Sequence, residues 1–209
     1  MLYNKKAILF DCDGVVLDTE SQYSAFWAEI GKQKFPNVAD FAARIKGQTL
    51  STIKSEWFGT DPDLLAWLDE QLSRFEETMH YPYIKGAANF LNKCRKEGMR
   101  TALVTSSNRK KMAQVIKHIP HFYDDFDALV LAEDVRLGKP APDCFLLAAD
   151  RLGIAISDCI VIEDSLNGLL AAQASGAFVV GLTTSLPAHE IAHVCHEVWT
   201  NWEEKANNH

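Results

Sequence analysis

Short apolar runs rich in β-branched residues recur at Ala7 to Phe10, Thr101 to Thr105, Ala128 to Leu131, Cys159 to Glu163 and Phe178 to Leu182. Runs of this length with polar flanks read as strands buried on both faces. Helical stretches separate most of them. Phe90, Leu91 and Cys94 recur on one helical face, and Phe145, Leu146, Ala149 and Leu152 are expected to do the same behind Pro142, which suits a first helical turn. Alternating strands and helices predict an α/β fold with a doubly wound, Rossmann-like parallel sheet. His196 to Trp199 reads as a last edge strand.

Between about residues 20 and 80 the alternation stops and the pattern is helical throughout. Leu64, Leu68, Leu72 and Phe75 step by four, four and three, which keeps them on one stripe. Trp27, Trp57 and Trp67 lie in the same stretch, enough aromatic surface for a small separate core. The expected organisation is therefore an α/β core formed by residues 1–16 and 82–209, with a helical domain inserted at 17–81. The exits fall near Val16 to Thr19 and near Tyr81 to Gly86, where Pro82 and Gly86 punctuate the chain.

The chain has 209 residues, 47% of them hydrophobic and 23% charged, an ordinary globular composition that excludes disordered and fibrous classes. Lys plus Arg number 21 against 28 for Asp plus Glu, a formal charge of −7 with no long basic run, so nucleic acid is not an expected partner. No stretch of about 18 apolar residues occurs, so no membrane span is expected, and the amino terminus lacks the apolar core of a secretory signal. The cysteines Cys12, Cys94, Cys144, Cys159 and Cys195 are odd in number and scattered, which argues against a disulfide framework and points to a reducing cytoplasm. No motif specifies an oligomeric state.

Candidate chemistry gathers where strands end, the place where open α/β sheets bind ligands. After the first strand comes Asp11-Cys12-Asp13-Gly14, two carboxylates two residues apart that can reach one small site; a polar turn is the plainer reading. After the second come Thr105, Ser106 and Ser107, then Asn108, a set that often only caps a helix. Gly138-Lys139-Pro140 places a lysine on a proline-stiffened loop, where most lysines are solvated. After Ile162 come Glu163, Asp164 and Ser165. Each signal is weak alone, but four strand ends of one predicted sheet together supply carboxylates, a hydroxyl and an ammonium.

In this order the motifs resemble those of the haloacid dehalogenase-like superfamily, phosphatases and phosphomutases, and the resemblance covers nearly the whole chain. It implies Asp11 as nucleophile through an aspartyl-phosphate, Asp13 as general acid and base, and Thr105 and Lys139 on the phosphoryl oxygens. It further implies Mg²⁺ on Asp11, Asp164 and the backbone carbonyl of Asp13, with Glu163 as a further ligand. Such oxygen donors suit a hard cation, and phosphoryl transfer needs concentrated positive charge. The insertion is similar to the family's helical cap, which is expected to open and close. Asp13 argues against dehalogenation, because the dehalogenase branch lacks this second Asp.

Substrate-binding candidates are Thr105, Ser106 and Lys139 in the core, and Glu20, Gln22, Tyr23, Arg44, Lys46 and Gln48 in the insertion. The β-phosphoglucomutase branch places a histidine in the first cap helix, where this chain reads Glu20-Ser21-Gln22-Tyr23. The resemblance therefore implies hydrolysis of a small phosphate ester, a sugar phosphate being the expected class and a phosphomutase the alternative. His189-Glu190-Ile191-Ala192-His193 matches the zinc-protease helix H-E-x-x-H. No third ligand stands at a familiar distance, and the segment reads as a surface helix behind Pro187.

Overall fold

The computed structural model describes residues 4–45, 48 and 50–203. Their contacts divide the chain into one unit of Met1–Asp18 with Tyr81–His209 and a second of Thr19–His80. In the first, six strands form one parallel sheet: β1 (Ala7–Phe10), β2 (Arg100–Val104), β3 (Ala128–Val130), β4 (Cys159–Glu163), β5 (Phe178–Leu182) and β6 (Glu197–Trp199). Their spatial order is β3-β2-β1-β4-β5-β6. This is the expected α/β, doubly wound arrangement, with the order reversing beside β1. Ala7 pairs with Arg100 on one side and Cys159 on the other, so β1 is fully paired and all four of its residues are buried.

The helices of this unit are α5 (Ala87–Lys96), α6 (Arg109–His118), α7 (Asp143–Leu152), α8 (Leu166–Ser175) and the short α9 (Ala188–Ile191). They follow α1 to α4 of the second unit in chain order. Phe145, Ala148, Ala149 and Leu152 of α7 join Leu169, Ala171 and Ala172 of α8 and Leu9, Val104, Val161 and Val179 of the sheet in one core. Leu146 departs from the expected face and is 43% exposed. It follows Phe145 by one residue, about 100° round the helix, so the i, i+3, i+4 stripe through Phe145 leaves it outside. A second buried cluster is aromatic. Phe10 lies 6.4 Å from Phe90 and 6.0 Å from Trp202, and Phe90 lies 5.6 Å from Trp199. The Trp202 indole N–H donates to Val15 O at 3.0 Å, which meets its polar requirement when buried.

The second unit holds α1 (Glu20–Lys34), α2 (Phe41–Ile45), α3 (Leu50–Ile53), a π-helical turn over Lys54–Phe58, and α4 (Pro62–Thr78). Asp61 caps α4, accepting from the N–H groups of Asp63 and Leu64, with Pro62 behind it at the first turn. Ile30, Phe41, Ile45, Ile53, Phe58 and Leu68 are buried together, and Trp27, Trp57 and Trp67 pack against them. No helix among the described residues is long and apolar enough to cross a membrane.

Candidate active site

The turn after β1 is closed by its own backbone. Gly14 N–H donates to Leu17 O at 2.8 Å, and the N–H groups of Val16 and Leu17 both donate to Cys12 O at 2.9 Å. Gly14 has φ +79, and a Cβ there would meet Asp164 Oδ2 at 1.9 Å. Only glycine permits both the left-handed backbone and this close approach. Leaving the turn, Leu17 bridges to Tyr83, Ile84 N–H donates to Val16 O and Asp18 N–H to Pro82 O, so the two exit segments run side by side.

Asp11 follows the last residue of β1 and Glu163 ends β4, on neighbouring central strands. Lys139, from the loop before α7, reaches between them. Its ammonium donates to Asp11 Oδ1 at 2.5 Å, to Glu163 Oε1 at 2.8 Å and to Val104 O at 3.2 Å. The peptide bond from Lys139 to Pro140 is cis. Lys139 is 7% exposed, so the solvated-surface reading of a loop lysine does not hold; two carboxylates compensate its burial. The burial itself opposes its charge, yet Asp11 and Glu163 together hold its pKa well above the usual lysine value. Asp11 moves the other way for an acid. Desolvation raises it to about 7, with Glu163 and Asp13 adding to the rise and Lys139 opposing it. The two directions agree: one ammonium is shared by two buried carboxylates, so it keeps its proton while Asp11 competes for too little positive charge.

Glu163 is engaged at both oxygens. Oε1 takes Lys139, while Oε2 accepts from Asp164 N–H at 2.8 Å, Ser165 N–H at 2.9 Å and Ser165 Oγ at 3.0 Å. Space for it comes from Gly168, where a Cβ would lie 1.7 Å from Oε1. Ser165 also caps α8, accepting Gly168 N–H at 3.1 Å, so the plain capping reading holds for this residue. Asp164 Oδ2 accepts from Ser185 Oγ, and Thr184 Oγ1 donates to Gly14 O. Ligand oxygens of Asp11, Glu163 and Asp164 lie within 4.8 Å of one another.

Across the site, Asp13 Oδ2 accepts from Ser107 Oγ at 2.9 Å and Lys111 Nζ at 2.7 Å. Thr105 is 4% exposed, and its Oγ1 accepts Ser107 N–H at 3.0 Å. Asn108 caps α6 through Lys111 N–H. The amino ends of α6 and α8 thus both follow site residues, a placement whose dipoles favour an anion. Ser106 is exposed.

The structure therefore gathers Asp11, Lys139, Glu163 and Asp164, and ties Asp13 to the Thr105–Ser107 segment. The insertion candidates are described by bonds within their own unit. Gln22 exchanges hydrogen bonds with the His80 backbone, Tyr23 Oη donates to Glu76, Arg44 Nε to Ala39 O, and Gln48 Nε2 to Glu56. Glu20 opens α1. Lys46 lies outside the described residues. In the H-E-x-x-H segment, α9 stops at Ile191 and a 3₁₀ turn carries His193, so the helix that match requires is broken. Among the described residues the only three-acid metal-competent group is the one at β1 and β4.

Sequence reasoning missed three contributors: Lys111, which stood only in a basic run, and Thr184 and Ser185. The last two had a signal, since Thr183-Thr184-Ser185 is a second hydroxyl cluster directly after a strand.

A family profile described as "Hydrolase: haloacid dehalogenase-like hydrolase" matches residues 5–176. Over 82% of its length the chain is 31% identical to the "Putative phosphatase YhcW" of Bacillus subtilis, spanning 80% of that protein. It is 28% identical to the "Beta-phosphoglucomutase" of the same organism, over 87% of the chain and 85% of the relative. With "Protein SUPPRESSOR OF QUENCHING 1, chloroplastic" of Arabidopsis thaliana the identity is 30% over 86% of the chain, which spans only 18% of that longer protein.

Proposed function

Because the chain belongs to the haloacid dehalogenase-like hydrolases and is a phosphatase of that family, a phosphoric monoester hydrolase, we propose that it hydrolyses a small sugar phosphate through an aspartyl-phosphate on Asp11. The observation that carries this reading is the buried Asp11–Lys139–Glu163 chain with Asp164 beside it, at the carboxyl ends of the two central strands.

Asp11, fixed by Lys139, attacks phosphorus as the bond to the leaving oxygen breaks. The leaving oxygen takes a proton from the Asp13 carboxyl and departs as the alcohol. Asp13, now a carboxylate, takes a proton from water as that water attacks phosphorus and the bond to Asp11 breaks, releasing phosphate. Thr105 Oγ1, already accepting Ser107 N–H, keeps its own hydroxyl proton for a phosphoryl oxygen. Lys139 and the two helix amino ends supply positive charge.

Mg²⁺ fits the donor set. Asp11, Asp164 and the Asp13 carbonyl offer hard oxygens, while Glu163, with four bonds made, serves to hold Lys139 and the turn into α8. When bound, the ion neutralises phosphoryl charge that Lys139 alone cannot match. We assign Thr19–His80 as the cap and Glu20, Arg44 and Gln48 within it to substrate choice. Five free thiols support a reducing, cytoplasmic setting.

Phosphorus NMR on hexose 1- and 6-phosphates with Mg²⁺ and a trace of hexose bisphosphate tests the reading. Growth of inorganic phosphate is expected, and Asp11→Asn should abolish it while the fold stays intact. Interconversion of the two esters without phosphate release would establish a phosphomutase instead, and full activity of Asp11→Asn would remove Asp11 as nucleophile.

A further inference from the structure

We infer that Lys111 is a positioning residue that, with Ser107, aims the Asp13 carboxyl for proton transfer to the leaving oxygen. The inference rests on the reading of Asp13 as the acid and base. Three basic residues open α6, and two of them are exposed, as such residues normally are; Lys111 is 7% exposed. Burying an ammonium is costly unless a counter-charge meets it. Lys111 Nζ meets Asp13 Oδ2 at 2.7 Å, across 98 residues of chain, and Ser107 Oγ reaches the same oxygen at 2.9 Å.

The two donors belong to one rigid bracket. Ser107 is fixed by its N–H to Thr105 Oγ1, and the next residue, Asn108, accepts Lys111 N–H at 2.8 Å. The start of the helix is pinned from outside as well: Arg109 N–H donates to Glu133 Oε1 at 3.0 Å, and the Arg109 guanidinium pairs with Asp134 at 2.6 Å. Asp13 itself stands on the tight turn before Gly14, so its backbone is set while its side-chain torsions are not. Two convergent donors from one bracket set them. A misplacement of about 1 Å in such a group can cost of order 10² in rate.

Leaving-group dependence separates this role from simple phosphate binding. Phenolate is a basic leaving group that gains from protonation, whereas p-nitrophenolate leaves readily as an anion. The two esters are otherwise alike in size and charge. The measurement is kcat/KM for phenyl phosphate and p-nitrophenyl phosphate with Mg²⁺, which reports steps through the first phosphoryl transfer. Met keeps the buried stem of Lys111 and removes its charge. Lys111→Met is expected to lower the ratio of the two constants by about 10-fold, a part of the roughly 10²–10⁴ that general acid catalysis supplies. Lys111→Arg should recover most of it. Asp13→Asn should lower the ratio at least as far, and adding Lys111→Met to it should lower it no further. A ratio unchanged in Lys111→Met, or lowered further on the Asp13→Asn background, would overturn the inference and leave the phosphatase reading standing. Wild-type protein releasing phosphate from neither these esters nor the hexose phosphates would overturn both.

Discussion

Replacing Glu163 by glutamine changes almost no volume and tests what its carboxylate holds together. Oε1 faces the Lys139 ammonium, and Oε2 faces two backbone N–H groups and the Ser165 hydroxyl, so both ends of the group meet donors. An amide has one acceptor end. Whichever way it turns, its NH₂ points at an ammonium or at the two N–H groups, leaving buried donors unmet at about 1–3 kcal/mol each. Lys139 also loses one of its two counter-charges in a site where Glu163 is 1% exposed. Breaking a buried ion pair by removing one partner costs about 3–5 kcal/mol, and that figure is the expected loss. Hydrogen exchange of the β1 and β4 amides reads it in the sheet unit alone, free of the helical unit. At 1.36 kcal/mol per decade, protection of these amides should fall by roughly 10² to 10⁴. Ser165→Ala removes both a bond to the Glu163 carboxylate and the cap on Gly168 N–H, about 1.5–3 kcal/mol for the first and about 0.5–2 kcal/mol for the second, while leaving Lys139 both its counter-charges. If Glu163→Gln left protection at the wild-type level, the claim that this carboxylate anchors Lys139 and the α8 turn would be wrong.

Two further outcomes concern the metal. Asp11, raised by desolvation to about 7, holds its proton more tightly folded than unfolded. Its contribution to metal-free stability is therefore present below about pH 4 and lost as the pH rises through about 7. Mg²⁺ must displace that proton, so its apparent affinity by calorimetry should climb with pH up to about 7 and then level off, with proton release visible in buffers of different ionisation enthalpy; an affinity flat across that range would contradict the assignment of Asp11 as a ligand. Ser185→Ala removes the hydroxyl that holds Asp164 Oδ2, and Mg²⁺ affinity should weaken by about 10-fold or more. Unchanged affinity would reduce Ser185 to a loop residue.

Sheet and strand ends were legible because both depend on local pattern. A strand buried on two faces must be apolar through its length, as in Cys159 to Ile162, and the polar residues that follow it must stand at its carboxyl end. Turn chemistry was legible for the same reason, since an Asp-Gly pair signals a turn and Gly14 admits the left-handed backbone that the turn requires. The burial of individual side chains is another matter. Leu146 carries an apolar side chain on an amphipathic helix, and the phase of that helix against the sheet puts it on the water-facing side with Asp150. Lys139 is a loop lysine by local pattern, and its burial follows from Asp11, 128 residues away, and from Glu163. Lys111 is the sharper case, because its neighbours Arg109 and Lys110 share its composition and not its environment. What distinguishes it is a carboxylate 98 residues earlier in the chain. A charged residue joins a site of this kind when tertiary contacts bring it an opposite charge that repays its desolvation, and that condition is written in the packing of α6 against the β1 turn and in no stretch of sequence around Lys111.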